Sequence, residues 1–124
     1  MNSHPETIGF TPGLPFSNGY VAGNTLYVAG QQGPDPSGQF PDTDIKLQTT
    51  NAIATVKKIV EEAGFQMSDI VSVTVHFTDM DDVPGMNAIY KKLMPNPKPV
   101  RVAVQVAGLI GGAKIELSAI AFKH

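Results

Sequence analysis

Hydrophobic and polar residues change their spacing several times along the chain, and each change marks an element. DIVSVTVHFTDM (Asp69 to Met80) alternates strictly. Ile70, Ser72, Thr74, His76 and Thr78 fall on one side, and Val71, Val73, Val75 and Phe77 on the other. Period two with β-branched residues predicts a half-buried strand. From Ile45 to Ala63 the period is helical: Ile45, Thr49, Ala52, Ile53, Val56, Ile59, Val60 and Ala63 share a face. Lys46, Gln48, Lys57, Lys58, Glu61 and Glu62 are expected toward solvent. Asp42, Thr43 and Asp44 supply N-cap chemistry and Gly64 the C′ glycine.

Shorter signals complete the outline. Thr11 to Gly19 reads as loop, YVAGN and NTLYVAG as a hairpin turning at Gly23-Asn24, and Gly30 to Asp44 as a long loop of the kind that often carries function. MNAIYKKL (Met86 to Leu93) predicts a second helix. Two late strands follow, joined near GLIGGAK and expected to pair as a hairpin. Val100, Val102, Val104 and Val106 oppose Arg101, Ala103 and Gln105 in the first. Ile115, Leu117, Ala119 and Ala121 oppose Glu116, Ser118, Ile120 and Phe122 in the second. The order β-β-α-β-α-β-β predicts an α+β domain over residues 1–124, with a mixed sheet and both helices on one face. The other face is too apolar to stay bare, and further copies of the chain would cover it.

Composition narrows the chemistry. With 124 residues the chain suits one domain. A net charge of −2 without a basic run argues against nucleic acid, and the absence of cysteine excludes disulfides and thiolate chemistry. The N-terminus lacks a signal-peptide pattern and no apolar run has membrane-spanning length, so no membrane partner and a cytoplasmic setting are expected. Three scattered histidines give no zinc pattern: His4 and His124 lie near the ends, and His76 reads as a half-exposed strand residue. Asp79, Asp81 and Asp82 lack the spacing of a calcium loop and read as a solvated turn.

Two charges remain inside the apolar C-terminal runs, Arg101 and Glu116. In a hairpin turning near Ile110-Gly111, Arg101 pairs with about Ile120 and Glu116 with about Gln105. The charges then share a face, roughly 13 Å apart. That spacing leaves two readings open: a structural ion pair or subunit contact, and a gap that holds a small carboxylate.

Three segments, in order, resemble the reactive-intermediate deaminase superfamily, the Rid or YjgF-like proteins. PFSNGYVAGNTLYVAGQQG resembles the family's opening, and DIVSVTVHFTDMDDVPGMNAIY its central strand and second helix with the Asn-x-x-Tyr of Asn87 and Tyr90. KPVRVAVQVAGLIGGAKIELSAIA resembles its C-terminal signature, Pro-x-Arg followed by Ile-Glu. The resemblance implies a chorismate-mutase-like fold and a homotrimer whose sheets close a central barrel, with active sites between subunits. It implies cofactor-independent hydrolysis of enamines and imines, such as 2-aminoacrylate, to 2-keto acids and ammonia. Arg101 would clamp the substrate carboxylate and Glu116 would act on water. Phe16, Ala29, Gly30, Gln31, Asn87 and Ala103 would line the pocket. An aminomuconate-type catabolic deaminase belongs to the same implication. So does a catalytically weak member that binds small carboxylates or 2-keto acids as sensor or scaffold.

The chain departs from the family pattern in its hydroxyl and thiol groups. Phe16 stands where Tyr is usual, Ala29 where Ser is usual, and Val102 and Ala103 where Ser or Thr and then Cys are frequent. The drier wall points to a larger or more apolar substrate.

Overall fold

The computed structural model describes residues 6–9, 13–40 and 44–124. His4, Thr11, Asp42 and Thr43 lie outside them. In chain order the elements are β1 (Glu6–Ile8), β2 (Gly19–Ala22), β3 (Thr25–Gln31), α1 (Ile45–Glu62), β4 (Ile70–Phe77), α2 (Val83–Leu93), β5 (Val100–Gln105) and β6 (Ile115–Phe122). Short 3-10 turns occupy Met67–Asp69, Met80–Asp82 and Ile110–Gly112. The strands form one mixed sheet in the order β1-β2-β3-β6-β4-β5. Only β4 and β5 run parallel, with α2 as their crossover.

The core is one face of this sheet closed by the helices. Leu26, Val28, Val73, Val75, Phe77, Ile115, Leu117, Ala119 and Ala121 pack with Ala52, Ile53, Val56, Ile59 and Val60 of α1 and with Met86 and Tyr90 of α2. Each large apolar side chain buried this way contributes about 1.5–3 kcal/mol. Helix α1 begins and ends as its pattern predicts. Asp44 accepts a hydrogen bond from the Leu47 amide at 3.0 Å, Ala63 is the C-cap, and Gly64 takes φ 81°. Helix α2 starts three residues earlier than expected, at Val83 rather than Met86, with Pro84 in the first turn where its missing N–H is harmless.

Four expectations are corrected. Glu6–Ile8, which carries no strand signal of its own, forms an edge strand on β2. Gln48 is buried instead of solvated: its Oε1 accepts the Lys114 amide at 2.9 Å, an N–H that enters β6 with no strand partner there. At the start of β4 a bulge between Ile70 and Ser72 reverses the alternation, so Ile70 is buried and Val71 is 44% exposed.

The fourth correction concerns the two charged strands. The last two strands do not pair. β4 lies between them, with Val73 opposite both Arg101 and Ala119, and His76 opposite both Val104 and Glu116. The hairpin signal reads chain neighbours as sheet neighbours, but the α2 crossover sets β5 parallel to β4 at the sheet edge.

Away from the helices the sheet is open and largely apolar. Val100, Ser72, Ile120, Tyr27 and Tyr20 form one row across five strands. Val100 is 70% exposed and Tyr27 50%.

Candidate active site

Cross-strand partners point to the same side of a sheet, so the register fixes the face of each charge. Arg101 lies beside Val73, on the helix side. Glu116 lies beside His76, on the open side. The two are three residues out of step and two strands apart, roughly 10 Å in each direction, with the sheet between them. The expected shared face does not exist within one chain.

Arg101 is held by α2. One guanidinium N–H donates to Asn87 Oδ1 at 2.8 Å, and the guanidinium carbon sits 4.8 Å from the centre of the Tyr90 ring. Stacking on an aromatic face and one fixed hydrogen bond limit the rotation of a planar five-donor group. Arg101 is exposed rather than buried, because all of edge strand β5 is exposed in the chain. No carboxylate pairs with it among the described residues; the ion pair there joins Lys114 to Asp82 at 3.6 Å. Asn87, Tyr90, Lys91, Lys98, Pro99 and Arg101 line a cavity of ≈ 340 Å³. Ala103 follows on the same side of β5.

Tyr90 is 7% exposed, and its hydroxyl is buried without a hydrogen-bond partner. Burial raises its pKa above the ordinary 10.0, against the smaller opposing effect of the Arg101 charge. The hydroxyl therefore stays protonated at neutral pH.

Glu116 belongs to a second cavity, also ≈ 340 Å³, lined by Phe16, Asn18, Gly30, Gln31, Gln32, Pro34, Thr55, Ile110 and Glu116. Gly30 leaves the carboxylate its place: a Cβ at this position would overlap the Glu116 side chain and displace it. Gln32 Nε2 donates to Glu116 Oε2 at 3.3 Å and to the Ile110 carbonyl at 3.0 Å. Gln32 thus ties the loop after β3 to the turn before β6 and restrains the carboxylate. Ala29 stands next to this wall, its amide bonded to the Asn18 carbonyl at 2.9 Å.

The long loop is anchored around the cavity. A Cβ at Gly33 would run into the Gln48 carbonyl of α1, so only glycine permits this approach. Asn51 holds the Gly33 and Pro34 carbonyls at 3.4 and 3.3 Å. Asp35 closes the tip, accepting from the Ser37 hydroxyl and from the Ser37 and Gln39 amides. Those bonds, the hydroxyl foremost, lower its pKa. The expected solvated acidic turn holds at Asp79, which accepts the Asp81 amide at 2.9 Å, but not at Asp82, whose Oδ2 is buried 3.6 Å from the Lys114 ammonium.

The sequence-expected site therefore divides. Arg101, Asn87 and Ala103 stand on the α2–β5 side; Phe16, Gly30, Gln31 and Glu116 line the other cavity, with Ala29 beside them. Two participants were not singled out. Gln32 stands next to the expected Gln31 in Gly30-Gln31-Gln32-Gly33. Tyr90 belongs to the Asn-x-x-Tyr motif and carried no expected role.

Known proteins resemble this chain in sequence and in fold. The family model described as Endoribonuclease L-PSP matches residues 9–123. A RutC family protein of Pyrococcus horikoshii is 41% identical over 121 residues, covering 97% of this chain and 92% of the relative. The human 2-iminobutanoate/2-iminopropanoate deaminase is 34% identical over 110 residues, 88% of this chain and 80% of that protein. The crystal structure of Escherichia coli TdcF with bound serine superposes with a TM-score of 0.83 at 33% identity, covering 89% of each chain.

Proposed function

The chain belongs to the Endoribonuclease L-PSP family, the Rid or YjgF-like superfamily, and on that premise we propose that it deaminates reactive 2-imino acids by hydrolysis, without a cofactor, in sites built between copies of itself. The observation that carries this reading is Arg101: a guanidinium oriented by Asn87 and Tyr90 with no counter-charge among the described residues. Its free N–H edge suits a carboxylate held by two hydrogen bonds. The restrained carboxylate of Glu116 supplies what that half lacks. The open apolar sheet face gives the reason for association, and a homotrimer closing its sheets into a barrel would bring the Arg101 half of one copy to the Glu116 half of the next.

In such a site the 2-imino acid is held by its carboxylate on Arg101. Glu116 takes a proton from water as the oxygen adds to the imine carbon. The same proton goes to nitrogen, giving a carbinolamine; its hydroxyl then passes its proton through Glu116 to the leaving nitrogen as the C–N bond breaks, and ammonia and a 2-keto acid leave. An enamine substrate first gains a proton on carbon to become the imine. Fixing water and substrate together is the main requirement, and one acid–base group contributes typically 10²–10⁴-fold.

A binding-only reading has one observation in its favour. Phe16, which lines the Glu116 cavity, and Ala29, Val102 and Ala103 lack the hydroxyl or thiol groups usual at their positions in the family pattern. A ribonuclease reading has none: the net charge is −2, whereas binding a phosphate backbone needs basic surface. Imines generated in situ from a panel of amino acids by an amino-acid oxidase test the proposal. Ammonia and keto-acid release should accelerate, and Arg101→Ala should lose about 10³-fold or more while remaining folded. Acceleration that survives Arg101→Ala would refute the assignment. Binding of keto acids without turnover anywhere in the panel would favour the sensor reading.

A further inference from the structure

The Arg101 cavity carries more positive charge than one carboxylate needs. Of its six lining residues three are cationic, Lys91, Lys98 and Arg101, and none is acidic. Lys98 is fixed. Its ammonium donates to the carbonyls of Lys91 and Met94 at 2.7 and 2.6 Å, at the C-terminal end of α2. An ammonium has three N–H groups, so one remains for a ligand. Lys91 follows directly on Tyr90, whose ring carries the Arg101 guanidinium.

The geometry points to a 2-imino dicarboxylate as the preferred substrate class. This inference rests on the reading above, in which Arg101 holds the carboxylate beside the imine. The second carboxylate then lies toward Lys91 and Lys98, at the cavity rim. A cation pair at a partly exposed rim discriminates by charge more than by shape, so its contribution weakens with salt. The drier surroundings of Phe16 and Ala29 do not oppose this preference. Those residues lie in the other half, and the second charge is met on the α2 side.

Equilibrium binding of the keto-acid products tests this apart from catalysis. 2-Oxoglutarate and 2-oxopentanoate have the same carbon chain and differ in the distal carboxylate. Calorimetry at about 0.15 M salt should show 2-oxoglutarate binding roughly tenfold tighter, about 1.4 kcal/mol. Lys91→Met removes an exposed side chain and should reduce the ratio to about threefold. The double variant Lys91→Met/Lys98→Met should bring it near one, with an unchanged circular dichroism spectrum and melting temperature as the control for folding. Equal binding of both acids by the unmodified protein would overturn the dicarboxylate inference alone, as would a preference that survives the double variant. Failure of both acids to bind would overturn the Arg101 carboxylate site itself.

Discussion

The Arg101 cavity and the Glu116 cavity are of equal size, ≈ 340 Å³ each, and opposite chemistry. The first is cationic, lies on the helix side of the sheet, and is organised by side chains of one helix: Asn87 bonds the guanidinium and Tyr90 supports it. The second holds one carboxylate, lies beside the open face, and is organised by a loop through Gln32. Each contains what the other lacks. On the proposed reading, a clamp without a base binds but does not hydrolyse, and a base without a clamp meets the substrate only by collision. Dividing them keeps guanidinium and carboxylate from neutralising each other inside one chain.

If that division is right, substitutions in the two halves must fail in different ways. Glu116→Gln should lower kcat by about 10²–10⁴-fold while keto-acid affinity stays within about twofold. Steady-state kinetics beside calorimetry checks this, and loss of binding in step with rate would place Glu116 in the clamp. Gln32→Leu should act through Glu116 at lower cost. Losing one restraining hydrogen bond predicts roughly a tenfold fall in kcat with KM nearly constant. A rise in KM alone would make Gln32 a substrate contact instead.

The smallest effect belongs to the Arg101 half. Removing the unpartnered hydroxyl in Tyr90→Phe should leave stability at pH 7 unchanged or slightly higher, by about 0.5 kcal/mol or less, since no hydrogen bond is lost. The pH dependence follows from the raised pKa. Below the unfolded value near 10 the folded and unfolded chains both keep the proton, and the contribution is fully present. It is lost as the pH rises from there through the higher folded value. Thermal melts between pH 9 and 11.5 should fall more steeply for the unmodified protein than for Tyr90→Phe, and parallel curves would show that the hydroxyl is not buried.

Much of this was legible in the sequence because it is local. The α1 face and its caps, the β2–β3 turn and the buried alternation of β6 follow from periodicity and turn chemistry. The errors concern long-range placement. Nothing in KPVRVAVQ states that its neighbour is β4 rather than β6, so Arg101 was set on the wrong side relative to Glu116. Gln48 looked solvated because a helical wheel does not show that the Lys114 amide lacks a partner. The β4 bulge swapped Ile70 and Val71 for the same kind of reason. The expected site residues come individually from motif resemblance, and their separation into two halves is visible only in the register.

The central claim is that Arg101 of one copy works with Glu116 of another. Mixing two inactive variants tests it most directly. Arg101→Ala and Glu116→Gln would be unfolded together at equal concentration, refolded, and assayed for imine hydrolysis against each variant refolded alone. With random assembly, a shared site receives an intact arginine and an intact glutamate in one half times one half of cases, so about a quarter of unmodified activity should return. Activity no higher than that of the separate variants, in mixed oligomers verified by mass spectrometry, would contradict the account and assign both groups to a single chain.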